Sequence, residues 1–126
     1  MFKRTTALIA SATLALCLAG TALAASTAWI RVINVKSDNV SAYMAELDKG
    51  RAMMKRLGIN STLHVYKATF AGPNTGSIVV TQEYPTWAAL ADAQTKTAGD
   101  PEFSAWLKNL DSVRTITSDA LYRELM

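Results

Sequence analysis

The side chains best suited to catalysis are a histidine and a glutamate. They lie on two segments in which apolar and polar residues alternate, as is typical of β-strands. His64 is the single histidine of the 126-residue chain, and it lies within the alternating segment 62–70. If Phe70 pairs with Ser77 across the turn between the segments, His64 stands opposite Glu83. A histidine beside a carboxylate can serve as a general base. A structural cross-strand pair or a surface histidine is the alternative interpretation.

Aromatic side chains supply the candidates for a ligand pocket. Tyr66, Tyr84, Trp87 and Trp106 are candidate lining residues for a planar ligand, and Asn34 on the first strand adds a polar amide. Tyr66 or Asn34 would also be the polarising partner of a histidine base. The alternative is ordinary core and interface packing, in which aromatic residues dominate.

The sequence predicts no metal site and no cofactor. One histidine, with the single cysteine at Cys17, leaves only carboxylates as ligands, and no two of them have a recognisable ligand spacing. Segment 71–76 contains two glycines, but no lysine follows and no helix starts there. It is therefore expected to be a turn rather than a phosphate-binding loop.

Residues 1–24 have the pattern of a cleaved secretory signal peptide. Lys3 and Arg4 precede a mostly apolar stretch, and Ala22-Leu23-Ala24 forms a small-x-small cleavage site before Ala25. The stretch is rich in alanine and interrupted by polar residues, which argues against a spanning helix. We therefore expect an exported protein, periplasmic or secreted, with no membrane contact after cleavage.

Removal of the leader changes the charge balance of the remaining domain, 25–126. It leaves 11 Lys and Arg against 10 Asp and Glu, and no cysteine. This near-neutral balance argues against a nucleic-acid partner. A domain of this size without disulfides depends on its core or on oligomerisation for stability.

The periodicity predicts one domain in which strands and helices alternate. A stripe of apolar residues at spacings of three and four predicts a helix from Val40 to Leu57, with Gly50 packed closely against the sheet. Pro85-Thr86 and Asp100-Pro101 are start signals for two further helices. The predicted strands are 29–36, 62–70, 77–84 and 113–117, and the tail 118–126 fits either a helical turn or an extended segment.

This order is the ferredoxin-like β-α-β-β-α-β pattern of the α+β class, with a four-stranded antiparallel sheet and helices on one face. The face without helices should be polar if water covers it. On the pairing assumed above, however, each face of the hairpin mixes apolar and polar residues. This mixture indicates that both faces are at least partly covered, and a second copy of the same sheet is the simplest cover.

Three segments support a resemblance to a known superfamily. The sequences TFAGPNTG at 69–76, EYPTWAAL at 83–90 and DPEFSAW at 100–106, together with the layout, resemble the dimeric α+β barrel superfamily, and within it NIPSNAP-like and antibiotic-biosynthesis-monooxygenase-like domains. The resemblance covers about 28–126. It implies a homodimer whose sheets pack face to face and favours an extended tail.

The resemblance does not imply one activity, because its members include oxygenases, haem-degrading enzymes and isomerase-like enzymes. The haem-degrading branch uses an asparagine on the first strand, a tryptophan, and an iron-binding histidine on the second helix. Asn34 and either Trp87 or Trp106 match, but the predicted second helix has no histidine, so haem is not expected. Two functions remain: a barrel that binds a small apolar or aromatic ligand, and a cofactor-independent monooxygenase or isomerase-like enzyme with His64 as its base.

Overall fold

The structure is a computed structural model that describes residues 27–126, so the predicted signal peptide and Cys17 lie outside the described residues. The described part contains four strands and three α-helices in the order β-α-β-β-α-α-β. They are β1 (Trp29–Lys36), α1 (Val40–Arg56), β2 (Thr62–Lys67), β3 (Ile78–Tyr84), α2 (Trp87–Ala98), α3 (Pro101–Asp111) and β4 (Thr115–Arg123).

The four strands form one antiparallel sheet in the order β2-β3-β1-β4. This is the ferredoxin-like arrangement, because the β1–α1–β2 connection leaves room for β3 between its two strands. The helices cover one face of the sheet. The main core joins Ile33, Val35 and Val80 of the sheet to Leu47 of α1 and Leu110 of α3. The predicted α+β fold is therefore confirmed.

Each α-helix begins at a polar side chain that accepts a hydrogen bond from the first turn. Asn39 accepts from the Ala42 amide at 3.0 Å, Thr86 from the Ala89 amide at 3.1 Å, and Asp100 from the Phe103 amide at 2.9 Å. These bonds satisfy amides that have no partner within the helix. The sequence had indicated all three starts.

The predicted pairing of the β2–β3 hairpin is wrong by two residues. Ala68, not Phe70, pairs with Ser77, through a 2.8 Å bond from the Ala68 amide to the Ser77 carbonyl. Accordingly His64 lies opposite Thr81, and Glu83 lies opposite Thr62. The chain leaves the strand after Lys67 because it forms a longer turn that includes a 3₁₀ segment at Gly72–Asn74. A shift of two residues preserves the face of every side chain but changes its partner.

One packing prediction also needs correction. Gly50 is buried, but it packs against the indole of Trp106 on α3 rather than against the sheet. The core face of α2 consists of Leu90 and Ala93, whereas Trp87 is 56% exposed.

The tail is extended, as the resemblance implied, because β4 continues to Arg123 along β1 of the same chain. The predicted last strand, 113–117, therefore covered only its beginning.

Candidate functional site

A cleft lies between the helix-covered face of the sheet and the three helices. We call it the helix–sheet cleft; its volume is about 520 Å³. The walls are mainly apolar and come from both layers. They include Ile33, Leu63 and Val80 from the sheet and Leu47, Met54 and Leu90 from the helices. The elements that build the core therefore also build this cleft.

Three aromatic side chains, Tyr84, Phe103 and Trp106, line the cleft. Trp106 is held by a 2.9 Å hydrogen bond from its Nε1 to the Glu46 carbonyl, and its ring centroid lies 5.1 Å from that of Phe103. Burial raises the pKa of Tyr84, and the positive charge of Arg31 partly opposes this effect. The Tyr84 hydroxyl is therefore protonated at neutral pH.

The cleft also contains a cluster of charged side chains, Arg31, Arg114 and Asp119, which we call the charged end. Arg31 donates two hydrogen bonds to Asp119, from Nε to Oδ1 at 2.9 Å and from Nη2 to Oδ2 at 2.5 Å. This bidentate geometry is typical of strong arginine–carboxylate pairs. The hydrogen bonds from Arg31 lower the pKa of Asp119, so its carboxylate is charged and a weak base at neutral pH.

The predicted catalytic pair lies outside the cleft. His64 and Glu83 belong to the sheet surface that faces away from the helices, which we call the open face. Its members alternate with the helix-facing residues and are Ile30, Val32, Asn34, Thr62, His64, Tyr66, Val79, Thr81, Glu83, Ser118, Ala120 and Tyr122. His64 is exposed, and no hydrogen bond joins it to Glu83 in the described part of the chain. Diagonal neighbours on a sheet are separated by about 7–8 Å.

The predicted pocket residues do not come together. Trp106 lines the cleft, as does Tyr84. Asn34 is on the open face, where its Nδ2 donates to Ser118 Oγ at 2.7 Å. Tyr66 is also on the open face, and Trp87 packs against Trp29 with tilted rings at a centroid distance of 4.8 Å, outside the cleft.

Sequence reasoning missed the charged end. Arg31 and Asp119 are 88 positions apart, and no local pattern joins them. One signal was available: Arg31 occupies a helix-facing position of β1, between Trp29 and Ile33 in the alternation. A charged residue between apolar residues of the same face is a candidate for an ion pair or a ligand contact.

The described residues offer few features for other kinds of site. Within 27–126, no three histidine, cysteine, aspartate or glutamate side chains come close enough to hold a metal ion. None of the helices in that range has the length and apolar character needed to cross a membrane.

No protein-family model and no curated protein matches this sequence. Solved structures do match, each over 79% of this chain. A NIPSNAP family protein from Agrobacterium tumefaciens is 15% identical, with a TM-score of 0.60 over 84% of its own chain. A NIPSNAP domain protein from Burkholderia xenovorans is 13% identical, with a TM-score of 0.59 over 93% of its chain.

A third match is SnoaB, a cofactor-independent oxygenase from Streptomyces nogalater. It is 12% identical, with a TM-score of 0.57 over 93% of its chain. This chain has the fold of the NIPSNAP and antibiotic-biosynthesis-monooxygenase-like structures. The resemblance seen in the sequence is thereby confirmed for the fold, and identities this low carry nothing further.

Proposed function

We propose that this protein binds a small apolar or aromatic molecule in the helix–sheet cleft and that it acts as an exported homodimer. The observation that carries the ligand proposal is the cleft itself. Its volume of about 520 Å³ lies within the ordinary range for small-molecule sites, about 300–1,000 Å³. Apolar walls with a few polar groups are also typical of such sites.

Binding fits the cleft better than acid–base catalysis. The titratable side chains that line it are Arg31, Tyr84, Arg114 and Asp119. The pKa of Asp119 is lowered and that of Tyr84 is raised, so neither is suited to remove a proton near neutral pH. The competing proposal is a cofactor-independent monooxygenase or isomerase-like enzyme with His64 as base. Its support is the shared fold with SnoaB, and its site would be the open face.

N-phenyl-1-naphthylamine, a neutral aromatic fluorophore, tests the ligand proposal. Gln94 lies at the exposed rim of the cleft, and Gln94→Trp would place an indole at its entrance. Thr95→Trp is the matched control, because Thr95 is the next residue of α2 and is exposed but does not line the cleft. We expect saturable binding that weakens at least tenfold in Gln94→Trp and is unchanged in Thr95→Trp. No binding by the unmodified protein, or equal binding by both variants, would contradict the proposal.

The proposal of a homodimer rests on the open face. Ile30, Val32 and Val79 are only partly covered there, and Tyr66 and Tyr122 remain 53% and 58% exposed. These residues come from all four strands, so apolar side chains occur across the whole width of the open face. Such surfaces mark interaction sites, and a second copy of the same sheet would bury this one symmetrically.

Val79→Asp tests the dimer, because Val79 is an apolar open-face residue of β3, an inner strand of the sheet, between Asn34 and Tyr66. Val40→Asp is the control: Val40 is an exposed valine on α1, outside the sheet. Sedimentation at micromolar concentration should give a dimer for the unmodified protein and Val40→Asp and a folded monomer for Val79→Asp. A stable monomer for the unmodified protein would refute the dimer.

The proposal of export rests on the leader pattern at 1–24 alone. Mass spectrometry of the protein recovered from its native cell should find the N-terminus near Ala25. Recovery of the intact leader would contradict export.

A further inference from the structure

The charged end contains one cation more than its own anion can neutralise. Arg31 and Arg114 both line the cleft, and Asp119 is the single acidic side chain among the lining residues. Arg31 already takes both oxygens of Asp119 in its bidentate pair. No hydrogen bond joins the second guanidinium, that of Arg114, to Asp119 in the described residues.

Within the described residues the Arg114 guanidinium is only partly satisfied. Its side chain is only 9% exposed, and its Nε is buried with no hydrogen-bond partner. The one carboxylate it reaches is that of Asp111, from Nη2 at a long 3.4 Å, and Asp111 is exposed to water. A buried guanidinium donor without an acceptor is costly, and native proteins normally pair such groups.

A second polar group lies close to Arg114. Burial raises the pKa of the Tyr43 hydroxyl, and hydrogen bonding with the Arg114 side chain and its positive charge oppose that effect. Tyr43 is not among the residues that line the cleft, so the donor that a ligand can reach there is the Arg114 guanidinium.

We propose that the cleft takes an amphipathic organic anion, whose carboxylate or sulfonate accepts hydrogen bonds from Arg114 and whose aromatic or aliphatic body lies against the apolar walls. This inference rests on the proposed function and names the class of ligand for the same site. The planar fork of arginine suits a group with two acceptor oxygens. Because most of the cleft wall is apolar, we expect a simple inorganic anion to bind more weakly than an anion with an apolar body.

Two fluorophores with one skeleton provide the test. 1-Anilinonaphthalene-8-sulfonate carries a sulfonate, whereas N-phenyl-1-naphthylamine is the same ring system without it. We expect the purified protein to bind the sulfonate at least tenfold more tightly than the neutral compound. Gln94→Trp should weaken both, which places the bound sulfonate in the cleft rather than on the open face.

Arg114→Gln should remove the tenfold preference, because the affinity for the sulfonate should fall at least tenfold more than the affinity for the neutral compound. It replaces a buried, incompletely paired charge, so we do not expect it to unfold the protein. Arg114→Lys keeps the charge but loses the planar fork and should retain part of the preference. Arg51→Gln is the control for general charge, because Arg51 lies on α1 outside the cleft and pairs with Asp48.

The outcomes separate the two proposals. Equal affinity for both fluorophores would overturn the anion proposal and leave ligand binding in the cleft intact. A preference that survives in Arg114→Gln, or that Arg51→Gln also removes, would likewise overturn it. Binding of neither fluorophore would overturn the proposed function itself.

Discussion

The contact between Gly50 and Trp106 predicts that adding one methyl group to α1 destabilises the protein. A Cβ atom at Gly50 would lie 2.6 Å from Cη2 of the Trp106 indole and closer still to Cζ2. Real Cβ atoms do not approach other carbon atoms so closely, so the indole must move. Trp106 is also tethered, because its Nε1 donates to the Glu46 carbonyl at 2.9 Å.

The expected change in the free energy of unfolding combines one stabilising and two destabilising contributions. Replacing glycine by alanine inside a helix favours folding by about 1 kcal/mol. Overpacking typically costs about 1–3 kcal/mol, and loss of the Trp106 hydrogen bond costs roughly 0.5–1.5 kcal/mol. Gly50→Ala should therefore lower the free energy of unfolding by about 1–3 kcal/mol. With a urea dependence of about 1–3 kcal/mol per molar, the midpoint should fall by roughly 1 M.

Urea denaturation followed by circular dichroism measures this change, with Gly99→Ala as the control. Gly99 ends α2 with a helical backbone, and a Cβ there would meet the Thr95 carbonyl at an ordinary 3.6 Å. The control should therefore be neutral or slightly stabilising. In a Trp106→Leu background the clash is absent, so Gly50→Ala should change sign and stabilise. Stabilisation by Gly50→Ala in the unmodified protein would refute the reasoning.

Three further predictions concern charge, pH and ligand affinity. Asp119→Asn should lower the free energy of unfolding by at most about 1 kcal/mol, because its pair with Arg31 is partly exposed. Because the pKa of Asp119 is lowered in the folded protein, this contribution to stability is present above about pH 4 and is lost below it. The free energy of unfolding should therefore fall less steeply with acid in Asp119→Asn than in the unmodified protein. Identical acid-unfolding curves would contradict this. Because the pKa of Tyr84 is raised in the folded protein, its hydroxyl ionises first in the unfolded chain, and the free energy of unfolding should fall above about pH 10. Urea titrations at alkaline pH should show a less steep fall in Tyr84→Phe. His64→Ala should leave the affinity for N-phenyl-1-naphthylamine unchanged; weakened binding would locate the ligand on the open face, and turnover lost in this variant would favour the enzyme proposal.

The sequence was sufficient for the fold because the fold depends on short-range signals. The helical stripe on α1 and the start signals at Thr86 and Asp100 are local patterns, and each occurs where it was predicted.

Such local signals could not predict which residues of β2 and β3 pair in the hairpin. This pairing depends on how many residues the turn contains, and the segment after Lys67 reads as a strand, although Phe70 is 98% exposed. Alternation is unchanged by a slip of two residues, so no hydrophobic pattern could distinguish Thr81 from Glu83 as the neighbour of His64.

The candidate site was predicted poorly because its residues are distant in sequence. Arg31 meets Asp119 only through the pairing of β1 with β4, which includes an irregularity between Asn34 and Val35. The short predicted last strand ended before Asp119. Because β4 was predicted too short, the sequence did not indicate that Arg31 pairs with Asp119 or that Arg114 lines a cleft.

The proposed ligand site and the proposed dimer surface lie on opposite sides of one sheet, and alternation along β1 separates them residue by residue. Arg31 lines the cleft, whereas Val32, the next residue, belongs to the open face. A substitution on one side therefore reaches the other only through the backbone of the sheet. For this reason Val79→Asp should affect assembly without affecting affinity, and Gln94→Trp should do the reverse. If each variant changed both assembly and ligand affinity, the ligand site and the dimer surface would form a single site that exists only when two sheets meet.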